Sequence, residues 1–226
     1  MFYDYAFFKS LFNPSSLTTA LAREAEIRGY KRRVAFVVFF TLLIFALQNI
    51  WGMGTAGLSH LFATNEANTY FVARMISFAI TIVWAILFFV FHYYLIAFVL
   101  ATFNELPKQW VRKVQLFVVA IFMTEKAILL AVFYSVGFTT NLNFFSLAPL
   151  VAKVTSEPII LFTLNQLSVF SVLAIIVQYT FLKRWMEQSA HKGLLAKIIA
   201  IHIVLAIIIG LMSSMPLQQW IVRGLV

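Results

Sequence analysis

Apolar residues run through this chain in five blocks, at about residues 34–51, 75–103, 114–136, 159–182 and 198–215, each parted from the next by a shorter, more polar stretch. About 20 apolar residues at 1.5 Å rise cross the ~30 Å hydrocarbon core of a bilayer, and each block approaches or exceeds that length. The pattern predicts an all-α polytopic membrane protein of five transmembrane helices, preceded by N-terminal interfacial amphipathic helices.

The polar stretches divide the chain further. Residues 1–33 form a predicted cytoplasmic interfacial segment, in which Tyr5, Phe8 and Phe12 recur at near-helical spacing with Asp4 and Lys9 off that stripe. Such a stripe suits a helix lying in the headgroup layer. Pro14 then fixes a turn, Ser15 or Ser16 can cap a second helix, and Gly29 ends it after Arg28. Residues 34–215 form the five-helix domain and 216–226 a short extracytoplasmic tail. The second block, near 29 residues, is too long for the core and must tilt or project beyond it. Asn104-Glu105-Leu106-Pro107-Lys108 breaks it, and so short a connection predicts an antiparallel hairpin with the third block. Residues 52–70 read as an exposed turn with a surface segment at 58–62. Ser156-Glu157-Pro158 is a good start for the fourth helix. Residues 137–156 are unusual, because Phe138, Leu142, Phe144, Phe145 and Leu147 make them more apolar than a solvated loop, while Pro149 and Lys153 keep them from being a span. They are expected to lie on the membrane or against a partner.

Charge sets the orientation. Charged residues make up 11% of the chain and hydrophobic ones 62%, whereas a soluble domain carries about 25% charged residues. The net charge of +9 does not mark a nucleic-acid binder, because its Lys and Arg fall between apolar blocks. Thirteen lie on one side, three (Arg74, Lys153, Arg223) on the other, and Lys126 inside the third block. That asymmetry predicts a plasma-membrane protein with a cytoplasmic N-terminus and an extracytoplasmic C-terminus. The aromatic start followed by a polar stretch does not fit a cleavable signal, so the first block is expected to target the chain uncleaved. There is no cysteine, which removes disulfides, thiolate metal sites, thiol nucleophiles and prenylation.

Chemistry concentrates in the third block, where Glu125 and Lys126 stand near mid-depth. A charge there costs roughly 2.5 to 3.5 kcal/mol on insertion scales, so each needs a partner or water. Adjacent residues are about 100° apart on a helix and cannot face one another. Candidate partners are His92, Asn165, Gln166, Gln178 and His202, of which His92, Gln178 and His202 fall in the cytoplasmic half. An intramembrane polar cluster of Glu125, Lys126, His92, Gln178 and His202 follows. It serves either as a proton or ligand site or as a set of hydrogen bonds that fixes the bundle. Neither histidine has a second ligand at i+3 or i+4, so no metal is expected, and no cofactor. Gln48 and Asn49 read as helix-end residues at the interface, and Ala127 and Ala131 as a place for close helix approach. No nucleophile elbow, zinc-protease motif, phosphate loop or carboxylate pair is present, which predicts a non-enzymatic protein. An odd number of spans without a repeat does not make two inverted halves.

Phe8-Lys9-Ser10-Leu11-Phe12-Asn13-Pro14, then a polar helix, the basic cluster Lys31-Arg32-Arg33 and five apolar blocks with a short tail, resembles the YIP (Ypt-interacting-protein) membrane family, most closely its bacterial YknW-type members. The architectural match spans nearly the whole chain; Leu11-Phe12-Asn13-Pro14 is its one local motif. Family members often carry a Gly-Tyr and a nearby proline in the third span, where this chain has Met123-Thr124-Glu125-Lys126. The resemblance implies an integral membrane protein without catalysis that works through partners, some bacterial relatives being similar to accessory subunits of ABC-type exporters. The expected function is to bind and modulate a larger membrane complex, with Phe138, Phe144, Phe145 and Leu147 as partner-binding residues and the lipid bilayer as surroundings. The alternative is a small transporter or channel-like protein that passes protons or a solute at the Glu125 and Lys126 site.

Overall fold

The computed structural model describes residues 2–23, 26–55, 58, 67–188 and 191–215. The tail at 216–226, Glu66 and most of the 58–62 segment lie outside the described residues. Among the described residues the fold is all-α apart from one short strand pair. In order come β1 (Phe2–Asp4), α1 (Phe7–Phe12), α2 (Pro14–Ala22), β2 (Glu26–Arg28), α3 (Tyr30–Trp51), α4 (Ala67–Val90), a π-helical turn (Phe91–Leu95), α5 (Ile96–Phe103), α6 (Lys108–Val136), α7 (Ala148–Val151), α8 (Pro158–Leu164), α9 (Val169–Leu182) and α10 (His191–Ser213).

Among the described residues four helices are long and apolar enough to cross a membrane: Tyr30–Trp51, Asn68–Phe103, Lys108–Val136 and Gly193–Ser213. The second of these, from Asn68 on α4 to the end of α5, has 36 residues and is about 54 Å long at 1.5 Å per residue. The expected fourth helix at 159–182 is not continuous. It is split into α8, of 7 residues, and α9, of 14, by a break at Asn165 to Ser168.

The chain forms two compact units. Unit 1 holds Met1–Phe40, Phe88–Glu125 and Val169–Val204; unit 2 holds Thr41–Leu87, Lys126–Ser168 and Leu205–Val226. Unit 1 is centred on the first half of α6, where the run from Val114 to Val119 is buried on every side. In a helix that condition requires neighbours all round. Its neighbours include α5 and the π-helical turn before it, for Lys108 lies over the Phe98 ring at 4.4 Å and Arg112 over the Tyr94 ring at 5.8 Å. Rising numbers on α6 meet falling numbers on the preceding segment, which is the expected antiparallel hairpin. Its turn is closed by Glu105 in a left-handed conformation (φ 53) and by Lys197, whose ammonium donates to the Phe103 carbonyl at 2.8 Å. The stack of Phe117 on Phe181, at 5.4 Å, brings in α9.

The N-terminal segment also belongs to unit 1, and its structure departs from the expected pair of helices. Phe2-Tyr3-Asp4 is extended and pairs in parallel with Glu26-Ile27-Arg28, Tyr3 opposite Ile27. The second helix accordingly stops at Ala22 rather than Arg28. Tyr3 reaches both Ser10 Oγ and Ser16 Oγ at 3.0 Å, fixing α1 and α2 beside the strand. Tyr5, Phe8 and Phe12 do not share one face. Tyr5 is buried, stacked on Phe117 at 5.9 Å, and burial pushes its phenol pKa up. Phe8 and Phe12 remain exposed.

In unit 2 the end of α3 is knitted to α4. Asn49 is buried and donates to Ser77 Oγ at 3.1 Å and Thr81 Oγ1 at 2.9 Å, so it is an interhelical clasp rather than the interfacial residue expected. The Arg74 guanidinium donates to the Asn49 carbonyl at 2.8 Å, the Ile50 carbonyl at 3.3 Å and Thr55 Oγ1 at 2.6 Å. The Asn49 carbonyl also takes the Gly52 N–H at 2.9 Å, so the cation adds a second bond there and serves Ile50 at the end of α3. Ala131 is exposed; a close approach is shown at Gly210. A Cβ on Gly210 would stand 2.8 Å from the Thr163 nitrogen and 2.9 Å from its Cα, so α10 lies directly on the backbone of α8.

Candidate functional site

The polar residues expected to cluster fall into both units. In unit 1, Phe122 on α6 has the His92 ring at 5.4 Å and the His202 ring at 6.4 Å. His202 Nε2 donates to Gln178 Oε1 at 3.0 Å, joining α10 to α9. The structure thus unites three of the five expected residues, two directly and His92 through Phe122. His92 Nδ1 donates to the Phe88 carbonyl at 2.9 Å. A carbonyl can only accept, so Nδ1 carries a proton. Glu125 is buried in the same unit, three residues beyond Phe122 and therefore on a neighbouring face of α6.

Lys126 belongs to unit 2. Its ammonium sits 5.1 Å from the centre of the Phe45 ring, a cation–π contact. Its carbonyl accepts from Gln48 Nε2 at 3.1 Å, which gives Gln48 an interhelical role in place of the expected interfacial one. The adjacent residues Glu125 and Lys126 therefore serve different surroundings, as the 100° step between them requires.

His92 lies within the π-helical turn Phe91–Leu95, where the Ile96 N–H reaches back to the Phe91 carbonyl, five residues rather than four. Such turns insert one extra residue and are frequent at functional sites. The next residue, Tyr93, bonds the Tyr30 hydroxyl at 2.8 Å, and Tyr30 in turn donates to the Arg112 carbonyl at 3.4 Å.

One residue at this site escaped the reading of the sequence. Gln115 is fully buried on α6, and neither its carboxamide oxygen nor its nitrogen has a hydrogen-bond partner. It follows Arg112 and Lys113 at the edge of the third block, where a glutamine looks like an interfacial residue. Among the described residues no group of three or more His, Asp or Glu side chains is placed to hold a metal.

In unit 2 the apolar loop is ordered by side chains. Asn165, at the break between α8 and α9, accepts from the Asn143 amide at 2.6 Å and the Ser146 hydroxyl at 3.2 Å, and donates to the Asn141 carbonyl at 3.2 Å. Ser146 and Ser168 form an antiparallel bridge beside it. Phe138, Phe144 and Leu147 are exposed on this loop, with Leu150 and Val154 beyond them, and Phe145 is half-buried against Phe144 at 4.2 Å. Gln166, the other amide in the break, donates back to the Phe162 carbonyl at 3.4 Å. Comparison with family models, curated proteins and solved structures returns no match.

Proposed function

We propose that the chain is a multi-pass membrane protein without catalytic activity that docks on a larger membrane complex and modulates it. The observation that carries the reading is the loop at 137–156. Its backbone is pinned by Asn165, yet it turns Phe138, Phe144 and Leu147 outward. Exposed aromatics on a backbone already fixed bind a partner with little ordering cost, the condition that favours interface anchors. The break-split segment Pro158 to Leu182 supplies a fifth crossing in this reading, its non-helical residues satisfied by protein rather than lipid. The thirteen-to-three distribution of Lys and Arg supports a cytoplasmic N-terminus in the plasma membrane. An ABC-type exporter is the partner class that the YIP-family resemblance implies.

Quantitative co-purification from native membranes tests the docking. Phe144→Ala with Phe145→Ala should leave the melting temperature in detergent near that of the wild type while a larger assembly is lost; equal recovery of every co-purifying protein removes the loop as a docking site. Cysteines at Ser16 and Gly224 should label from opposite sides of intact cells, Gly224 from outside. The second reading, a small transporter, is favoured by the His92, Phe122, His202 and Gln178 cluster. Solute or proton flux through liposomes holding this chain alone would establish it over docking.

A further inference from the structure

The unpaired carboxamide of Gln115 has a definite direction. On α6, Phe122 is seven residues further on, which at 100° per residue returns it to within about 20° of Gln115. Phe122 is one of the rings against which His92 packs, and the one that α6 supplies. On the other flank, Arg112 is three residues earlier, about 60° away. The Arg112 carbonyl takes the Tyr30 hydroxyl, which bonds Tyr93. Gln115 lies between these two contacts in both height and angle, so it faces the π-helical turn from which His92 and Tyr93 project.

Two independent features therefore meet in unit 1: a fully buried carboxamide with two unmet polar atoms, and a turn whose backbone pairing has slipped from four residues to five. A third polar atom near the cluster is also unmet, Nε2 of Gln178, whose Oε1 is occupied by His202. Buried polar groups are paired in the great majority of cases, with ordered water where protein provides no partner. Leaving a group unmet costs about 1 to 3 kcal/mol. A donor and an acceptor on one side chain, beside a turn with displaced carbonyls, match water, which both donates and accepts.

We infer that Gln115 and the Phe91–Leu95 turn enclose an internal hydration site, filled by bound water that completes the hydrogen bonds of the Gln115 carboxamide. This site stands apart from the loop proposed for docking and does not rest on that reading. It accounts for a fully buried glutamine between Val114 and Leu116, where an apolar residue would otherwise pack better. It also gives the π turn a polar neighbour that can accept the extra residue's backbone groups.

In-situ radiolysis tests the inference, because hydroxyl radicals made from bound water oxidise side chains that bulk solvent does not reach. In the wild-type protein in nanodiscs, Tyr93 should be oxidised well above Phe117 and Phe181, which are equally or more buried and serve as internal controls. In Gln115→Met, which keeps the size and loses both polar atoms, Tyr93 oxidation should fall to the level of Phe181. The melting temperature of that variant should fall too, since it discards satisfied bonds. Oxidation of Tyr93 no greater than that of Phe181 in the wild type overturns the inference, and this arm needs no variant to fold. A Gln115→Met protein that melts higher than the wild type would equally overturn it, showing that the carboxamide was dry and unpaired.

Discussion

Gly210 and Gly193 stand on the same helix, α10, and the structure assigns opposite signs to the same substitution at the two positions. Glycine in a helix interior is about 1 kcal/mol less favourable than alanine, so on backbone grounds alone either change to alanine is a gain. At Gly193 a new Cβ meets nothing within 4 Å, and the gain should appear. At Gly210 the methyl would stand 2.8 Å from the Thr163 nitrogen and 2.9 Å from its Cα. These atoms are backbone and cannot rotate away, so α8 must shift. Overpacking of this kind costs about 1 to 3 kcal/mol, and the propensity gain offsets part of it. The net expectation for Gly210→Ala is a loss of up to about 2 kcal/mol. At roughly 2 to 4 °C per kcal/mol for a chain of this size, that lowers the melting temperature by up to about 8 °C. Gly193→Ala should raise it by up to about 4 °C. Intrinsic-fluorescence melts of both variants in one detergent provide the assay. If Gly210→Ala melts as high as Gly193→Ala, α8 does not rest on α10 and the packing argument fails.

Arg74→Met removes donors to the Asn49 and Ile50 carbonyls and to Thr55 and should destabilise by about 1 to 3 kcal/mol, with Arg74→Lys recovering only part; an unchanged melt would show that solvent serves those carbonyls equally well. Asn165→Ala strips three bonds from the loop, so hydrogen exchange at the Asn143 and Phe145 amides should quicken several-fold while amides of α6 keep their rates; a uniform change would mean that the whole fold, rather than the loop, had loosened. A double-mutant cycle of Lys126→Met with Phe45→Leu should show a coupling of about 0.5 to 2 kcal/mol for the cation–π contact, and strict additivity would dissolve the pair.

What could be read from the sequence was whatever depends on local composition. The long apolar helices, the hairpin at 104–108 and the centrality of the third block all appear, because length, charge and breaker residues determine them. The losses are at places where a distant residue decides. Asn165 interrupts an apolar run because its side chain is claimed by backbone 22 and 24 residues away, and no periodicity within 159–182 contains that information. Phe2–Asp4 becomes a strand through its pairing with Glu26–Arg28, which an aromatic stripe read helix by helix does not show. The π turn lies in an aromatic run, Phe91-His92-Tyr93-Tyr94, with no proline or glycine to announce it. Of the site, the His202 and Gln178 pair was legible from depth alone, since helices of known polarity bring residues of similar depth together. Gln115 was not, because a residue at the edge of a block is assigned to the interface until its neighbours are known.

The polar side chains within the apolar helices sort by what they do for the backbone. His92 bonds the Phe88 carbonyl, Asn104 the Leu100 carbonyl, Gln48 the Lys126 carbonyl and Asn165 the loop. In hydrocarbon a free carbonyl or amide costs several kcal/mol, so side chains engaged in this way are accounted for by the fold. His202 and Gln178 do something different: they bond each other across two helices, and neither mends a helix. Gln115 has no protein partner at all, and in the inferred hydration site water completes its carboxamide. Gln115 and the His202 and Gln178 pair lie in the same unit; the His202 ring meets Phe122, and Gln115 stands in helical register with it. There, as well as at the Glu125 and Lys126 step, a function inside the membrane should be sought by substitution.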